Sequence, residues 1–326
     1  MSSLLGGSNE HVRIYRATEI LDLPWPADPY WIRPSILPKS GFLLFGGPAK
    51  IGKSMIMLNL GRDLALGVHH PLDCPFFECP APVKVLAIEQ ELKLLGTKAR
   101  LEDLFKTCPT GERALLHENF HLISGEPRMQ LSTEDGRAEI LHAVQQVKPG
   151  VLILDPIGKM MAGWDENRAE QMSMLFLELA KLIKVGETWG MSLIVSHHFG
   201  KPPRNAEGRA GYDALDPYNF RGSSKFVDDP DTLVTVERRG AISKPWKAWN
   251  IHTRWETRRG EPPPGDLRYS VNRDDDLRVR YEGMVGAEAR LTPDLPGPNI
   301  KKEKMPAAPP KDTTKLLSFP KPPPRA

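Results

Sequence analysis

Cysteine is scarce in this sequence, and long hydrophobic runs are missing. Three cysteines in 326 residues cannot build a disulfide framework. The odd count points to a reducing compartment, so the expected location is the cytoplasm. No apolar stretch approaches the roughly 18 residues that a helix needs to cross a bilayer, so no membrane span is expected. The opening MSSLLGGSNEHVR has neither a basic lead nor an apolar stretch, so it does not read as a secretory signal. No repeat of about 20–50 residues is visible, which removes solenoids and propellers. Charge of one sign is lacking too: 44 Lys and Arg against 41 Asp and Glu leave only +3.

What is plentiful is proline, 32 residues in all, near twice the average usage of about 5%. Ten of them lie between Leu291 and Ala326, where few bulky apolar residues accompany them. Such a stretch cannot bury enough surface to offset its ordering entropy, so residues 284–326 read as a basic, disordered tail. That tail holds eight Lys and Arg against four Asp and Glu, which leaves residues 1–283 at −1. The mild basicity of the whole therefore belongs to the tail, and net charge does not argue that the remainder binds nucleic acid. Residues 1–24 read as an N-terminal extension and 25–283 as one large α/β domain.

Within that domain apolar runs alternate with helical patterns. Gly41 to Gly46, Val83 to Glu89, Val151 to Asp155 and Ser192 to Ser196 read as strands. Helices are expected from Ser54 to Gly67, Leu92 to Phe105 and Ala169 to Glu187. Strands apolar throughout are covered on both faces, as in a mostly parallel sheet with helices on each side. After Asp229 come short β-like pieces, with turns at Arg239-Gly240, Arg259-Gly260 and the Pro262–Gly265 cluster. They suit an antiparallel extension of the same sheet.

Gly47-Pro48-Ala49-Lys50-Ile51-Gly52-Lys53-Ser54 fits G-x-x-x-x-G-K-[ST] at every fixed position, with a strand before it and a helix after it. Glycines let such a loop curl so that its N–H groups face inward on phosphate oxygens. Lys53 sets a point charge between the β- and γ-phosphates, and the helix N-terminus adds its positive end. The Ser54 hydroxyl is a ligand for Mg²⁺ bridging the same phosphates. Met55 follows on the helix and closes the loop's binding set. The expected cofactors are ATP and Mg²⁺. Asp155 ends the run VLILD at the carboxyl edge of the sheet, where α/β proteins bind ligands, and suits Mg²⁺ as well. Glu89-Gln90-Glu91 follows the neighbouring strand. Alternation sends Glu89 and Glu91 to one side, so spacing alone does not choose which acid would orient an attacking water.

With these residues in view, the stretch from Trp31 to Gly283 resembles the RecA-type ATPase core. More narrowly it resembles the RepA-type hexameric helicase ATPases of plasmids and phages. The resemblance rests on FGGPAKIGKS, on VLAIEQELKLLGTKARL with its Glu91 and Arg100, and on VLILDPIGKMMAGWDENRAEQM with Asp165-Glu166-Asn167. LIVSHHFGK and FRGSSKFVDDPDTLVTV are similar to that group's later motifs. The resemblance implies that Glu91 activates water, that one or both of His197 and His198 sense the γ-phosphate, and that Arg221 reaches the ATP of a neighbouring subunit. It also implies a head-to-tail ring, expected to be a hexamer, and single-stranded DNA as partner.

Two loops would line a DNA path: Pro156 to Arg168, and the polar Gly200 to Asn219. Lys159, Lys201, Arg204 and Arg209 could neutralise phosphates there, and Trp164 or Tyr212 could stack a base. The segment Arg238 to Arg259 interleaves seven Lys and Arg with Trp246, Trp249 and Trp255. It reads better as a solvated antiparallel edge whose tryptophans pack on the core. His69, His70, Cys74, Cys79 and Cys108 have a C-x₄-C spacing at the loose edge of structural zinc sites with no second ligand pair after it, and the cysteines read as metal-free loop residues. Met160, Met161, Met172 and Met174 read as core or helix-face residues. Two other readings stay open: a recombination, repair or loading ATPase that does not unwind DNA, and a small-molecule kinase sharing the phosphate loop.

Overall fold

Apolar strands that alternate with helices have one way to hide both of their faces, which is to line up in a sheet between helical layers. The protein does this. Its computed structural model describes residues 14–22, 24, 26–199, 213, 215–219, 225–239, 248–258, 260–272 and 275–285. After the short, exposed α1 (Ala17–Leu21), β1 (Tyr30–Ile32) and β2 (Leu37–Pro38) form a small antiparallel ribbon. Then come β3 (Phe42–Gly47), α2 (Lys53–Leu66), β4 (Val85–Glu89), α3 (Leu94–Leu104), α4 (Thr110–Asn119), β5 (Phe120–Ser124) and α5 (Glu134–Val147). They are followed by β6 (Val151–Asp155), α6 (Ala169–Gly186), β7 (Ser192–His198) and α7 (Lys225–Asp228). The last strands are β8 (Thr232–Arg239), β9 (Ala248–Thr257), β10 (Asp266–Asn272) and β11 (Val279–Val285).

Nine strands form the main sheet, in the order β11-β10-β9-β8-β3-β7-β6-β4-β5. The six from β8 to β5 run parallel, and β9, β10 and β11 add on beyond β8, each antiparallel to the strand before it. The α/β class, the parallel core and the antiparallel extension are those expected from the apolar runs. One detail differs. The segment holding Trp249 and Trp255 is no edge, because β9 lies between β8 and β10. Trp255 is buried against Phe45 and Phe77 with ring centroids 5.7 and 4.6 Å away.

Side chains of each parallel strand alternate between two cores. Leu43 and Phe45 of β3 join Val151 and Ile153 of β6 beneath α2, while Phe42 and Leu44 join Leu152 and Leu154 on the other face, towards α5 and α6. Helix α2 is buried along nearly all of its length, so the loop that leads into it stands on a rigid base. The parallel registers bring the carboxyl ends of four strands to one edge: Gly47 sits beside His198, and Glu89 beside Asp155. Among the described residues no helix is long and apolar enough to cross a membrane.

Candidate active site

The loop between β3 and α2 owes its shape to two glycines. At Gly47 an added Cβ would lie 2.5 Å from the Val236 carbonyl oxygen and 2.6 Å from Ile51 Cδ1. At Gly52, with φ +110°, it would meet Ile251 Cδ1 at 2.8 Å and Trp249 Nε1 at 3.2 Å. Between them Pro48 is half-buried, Ala49 and Lys50 are exposed, and Ile51 is buried under the loop. Lys50 has φ +62°, a left-handed turn that curls the chain back on itself.

Lys53 begins α2 and is only 5% exposed. Its Nζ donates to the Gly47 and Pro48 carbonyls at 2.9 and 2.8 Å and lies 3.1 Å from His198 Nδ1. Burial pushes its pKa down to about 8, against the opposing pull of Asp155 and Glu91. A buried ammonium held by neutral partners is a charge waiting for an anion.

The acids sort themselves by what binds them. Glu89 is buried, and its carboxylate accepts the Glu91 and Leu92 N–H groups and the Thr97 hydroxyl. Burial still pushes its pKa up, because those bonds offset only part of the desolvation. Glu91 is exposed and lines the cleft, with Oε1 3.8 Å from His198 Nε2. The expectation that both acids point one way is therefore corrected. β4 ends at Glu89, so strand alternation does not reach Glu91, which rides on the turn that Glu89 holds together. Asp155, buried at the end of β6, accepts a hydrogen bond from the Ser196 hydroxyl and also lines the cleft.

The two histidines part company as well. His198 faces the cleft, whereas His197 is buried on the opposite side of β7 with its ring stacked on Phe226, centroids 4.1 Å apart. Strand alternation makes that division, and His197 is thereby removed from the set that faces the phosphate loop. Arg221 lies outside the described residues, as do Lys201, Arg204, Arg209, Tyr212, Trp246 and residues 286–326 of the proline-rich tail. The expected start of that tail is corrected, because Met284 and Val285 pair with Leu267 and Asp266 as the end of β11. In the loop after β6, Lys159 is exposed and Trp164 packs partly against the core, while Asp165 accepts the backbone and side-chain N–H groups of Asn167. Cys74, Cys79 and Cys108 are buried free thiols, and burial pushes Cys74 and Cys79 up to about 11.

Lys53, Ser54, Met55, Glu91, Asp155 and His198 share one cleft of about 490 Å³, a size suited to a small organic ligand. Among the lining residues that the sequence did not bring to notice in this role are Arg238 on β8, Trp249 on β9, and Leu277 before β11. Arg100 also faces in, from α3, and its Nη1 is buried with no hydrogen-bond partner among the described residues. An orphaned guanidinium nitrogen and a buried ammonium in one cleft suit an anionic ligand. Ser54 and Asp155 supply the oxygen donors that Mg²⁺ prefers. That ion takes one or two protein ligands and completes its shell with phosphate and water, so no all-protein cage is required.

Strand, glycine-hinged loop and helix, with a buried lysine at the helix start and carboxylates on the neighbouring strand ends, define a P-loop nucleotide-binding domain. The family model described as "AAA domain" matches residues 15–204, more than half of the chain, and the protein belongs to that family. No curated protein matches the chain. The matched residues include the loop, Glu91, Asp155 and both histidines; Arg238, Trp249 and Leu277 lie beyond them.

Proposed function

We propose that the protein is an ATPase that hydrolyses ATP with Mg²⁺ and couples the turnover to single-stranded DNA from within a ring of identical subunits, as replicative helicases do. The observation that carries the catalytic part is the convergence of Lys53, Glu91, Asp155 and His198 on one cleft at the carboxyl ends of β3, β4, β6 and β7.

In this reading the loop N–H groups and Lys53 hold the β- and γ-phosphates, and Ser54 and Asp155 would hold Mg²⁺. The bound ion would offset phosphate charge. Glu91 Oε1 orients a water against the γ-phosphorus and takes its proton as the new P–O bond forms and ADP leaves. His198 stands between Lys53 and Glu91 and senses the γ-phosphate that Lys53 holds. Arg221 supplies the finger to the neighbour's site, a contribution of roughly 10³–10⁵ in rate in other nucleotide hydrolases. The DNA and ring parts are supported by the resemblance of the motifs, and the DNA part also by Lys159 in the loop after β6 and by Lys201, Arg204 and Arg209 in the polar segment after β7.

Mass in solution with and without ATP, and phosphate release with and without single-stranded DNA over a salt series, test this reading. It predicts ATP-dependent assembly and a DNA-stimulated rate that declines as salt rises, because phosphate contacts are screened. Steady turnover by a monomer, unchanged in Arg221→Ala, removes the ring. Stimulation by DNA without strand displacement from a fork moves the protein to a recombination, repair or loading role.

A further inference from the structure

The turn between β10 and β11 is fastened to the phosphate-loop helix, although about two hundred residues separate them. Asn59 of α2, wholly buried, makes the join. Its Nδ2 donates to the Leu277 carbonyl at 3.2 Å and to the Met55 carbonyl at 2.9 Å, and its Oδ1 accepts the Val279 N–H at 3.0 Å. One helical turn before Asn59 is Met55, itself in the cleft wall. Asp276 tightens the same turn, accepting from the Thr107 hydroxyl at 3.1 Å, the Arg278 N–H at 3.1 Å and the Arg280 guanidinium at 2.7 Å. Arg278 reaches back to Asp63 of α2 at 3.7 Å and to Asp73 at 3.5 Å.

Leu277 has φ +52°, a left-handed conformation that costs a leucine energy unless its surroundings impose it. Here the bonds from Asn59 and to the Asn272 carbonyl impose it. Leu277 then lines the cleft together with Met55 and Trp249. The charged residues Lys53, Glu91, Asp155 and His198 stand at the strand ends, where the γ-phosphate belongs. Trp249 stands against Gly52, with its Nε1 3.2 Å from where a Cβ there would lie. Met55, Trp249 and Leu277 give the cleft an apolar part of its lining, which suits the uncharged part of a nucleotide.

We propose that Leu277, set by Asn59, is a specificity-determining wall for the nucleoside. The β10–β11 turn would thus distinguish a nucleoside triphosphate from bare triphosphate, a distinction that the phosphate loop cannot make. The inference rests on the phosphate-loop reading above and adds the nucleoside half of the ligand. Asn59 is a positioning residue that acts through Leu277.

Binding of ATP and of inorganic tripolyphosphate, each with Mg²⁺, to wild type, Leu277→Gly and Asn59→Ala tests it. Glycine accepts φ +52° without strain, so the first variant keeps the turn and removes the wall. The expected result is ATP bound more tightly than tripolyphosphate by the wild type. In Leu277→Gly, ATP affinity falls about tenfold or more while tripolyphosphate affinity stays unchanged. Asn59→Ala shows the same split, with KM for ATP raised and kcat unchanged. Equal losses for both ligands in Leu277→Gly, or no loss of ATP affinity, overturn the wall. A wild type that binds neither ligand overturns the phosphate-loop reading along with it.

Discussion

The Lys53 ammonium lies 3.1 Å from His198 Nδ1, and the far nitrogen of that imidazole lies 3.8 Å from Glu91 Oε1. One histidine thus stands between the residue that would hold the phosphates and the one that would activate water. With burial pushing Lys53 to about pKa 8, its charge is incomplete in mildly alkaline solution. A bound triphosphate favours the protonated ammonium, so binding there must take up a proton. ATP affinity is therefore expected to be flat from about pH 7 to 8 and then to fall by up to about tenfold per pH unit. Calorimetry in buffers of different ionisation heat measures the uptake directly. A flat affinity to pH 10 with no proton uptake would contradict this.

Glu91 and Glu89 are expected to fail in different ways. Glu91→Gln should keep ATP binding and melting temperature but lower phosphate release by about 10²–10⁴-fold. Glu89→Ala leaves the Glu91 and Leu92 N–H groups and the Thr97 hydroxyl without their acceptor. It should cost about 1–3 kcal/mol of stability. Paired melting and single-turnover measurements separate the two. Normal turnover in Glu91→Gln transfers the chemistry to another residue.

For the histidines, the opposite faces of β7 set the outcome. His197→Ala removes a buried ring from its stack on Phe226, at a cost of about 1–3 kcal/mol in thermal unfolding. His198→Ala should leave stability within about 0.5 kcal/mol, since the side chain is partly exposed at the cleft, and should slow turnover. Equal effects of both substitutions on turnover at matched stability would contradict the division.

The glycines provide a steric control. In Gly47→Ala the new methyl meets a backbone carbonyl 2.5 Å away, so the loop must shift and ATP binding should be lost. Gly111, within α4, has nothing within 4 Å of its added Cβ. Gly111→Ala should therefore stabilise by about 0.5–1 kcal/mol through helix propensity, with ATP binding unchanged. Nucleotide titration and thermal melts read both.

Much of the fold can be read in the sequence because β3, β4 and β6 carry no polar residue until the edge where the cleft lies. VLILD becomes β6 without a shift, and the loop GPAKIGKS joins a strand and a helix as expected. The stretch from 106 to 150 is less legible. There α4 runs into β5 with no residue between them, leaving no turn signal to mark the change. α5 does carry one: Thr133 caps it by accepting the Gly136 N–H, followed by Glu134 and Asp135 in the first turn. Within the site, local spacing reveals Lys53, Ser54 and Asp155, but the choice between Glu89 and Glu91 needs the point at which β4 stops. Arg238, Trp249 and Leu277 are hidden for a different reason. Arg238 reaches the cleft because β8 pairs beside β3, and Trp249 and Leu277 because the antiparallel strands fold back towards α2; these are long-range packing facts that no local pattern encodes.

Phosphate released from ATP by the purified protein in ¹⁸O-labelled water, with Mg²⁺ and single-stranded DNA, puts the proposed chemistry to the most direct trial. Attack by a water that Glu91 orients predicts one labelled oxygen in every phosphate released by the wild type. It also predicts almost no release from Glu91→Gln, which still binds ATP. Transfer of the γ-phosphate to an acceptor without label, or wild-type release from Glu91→Gln, would contradict it.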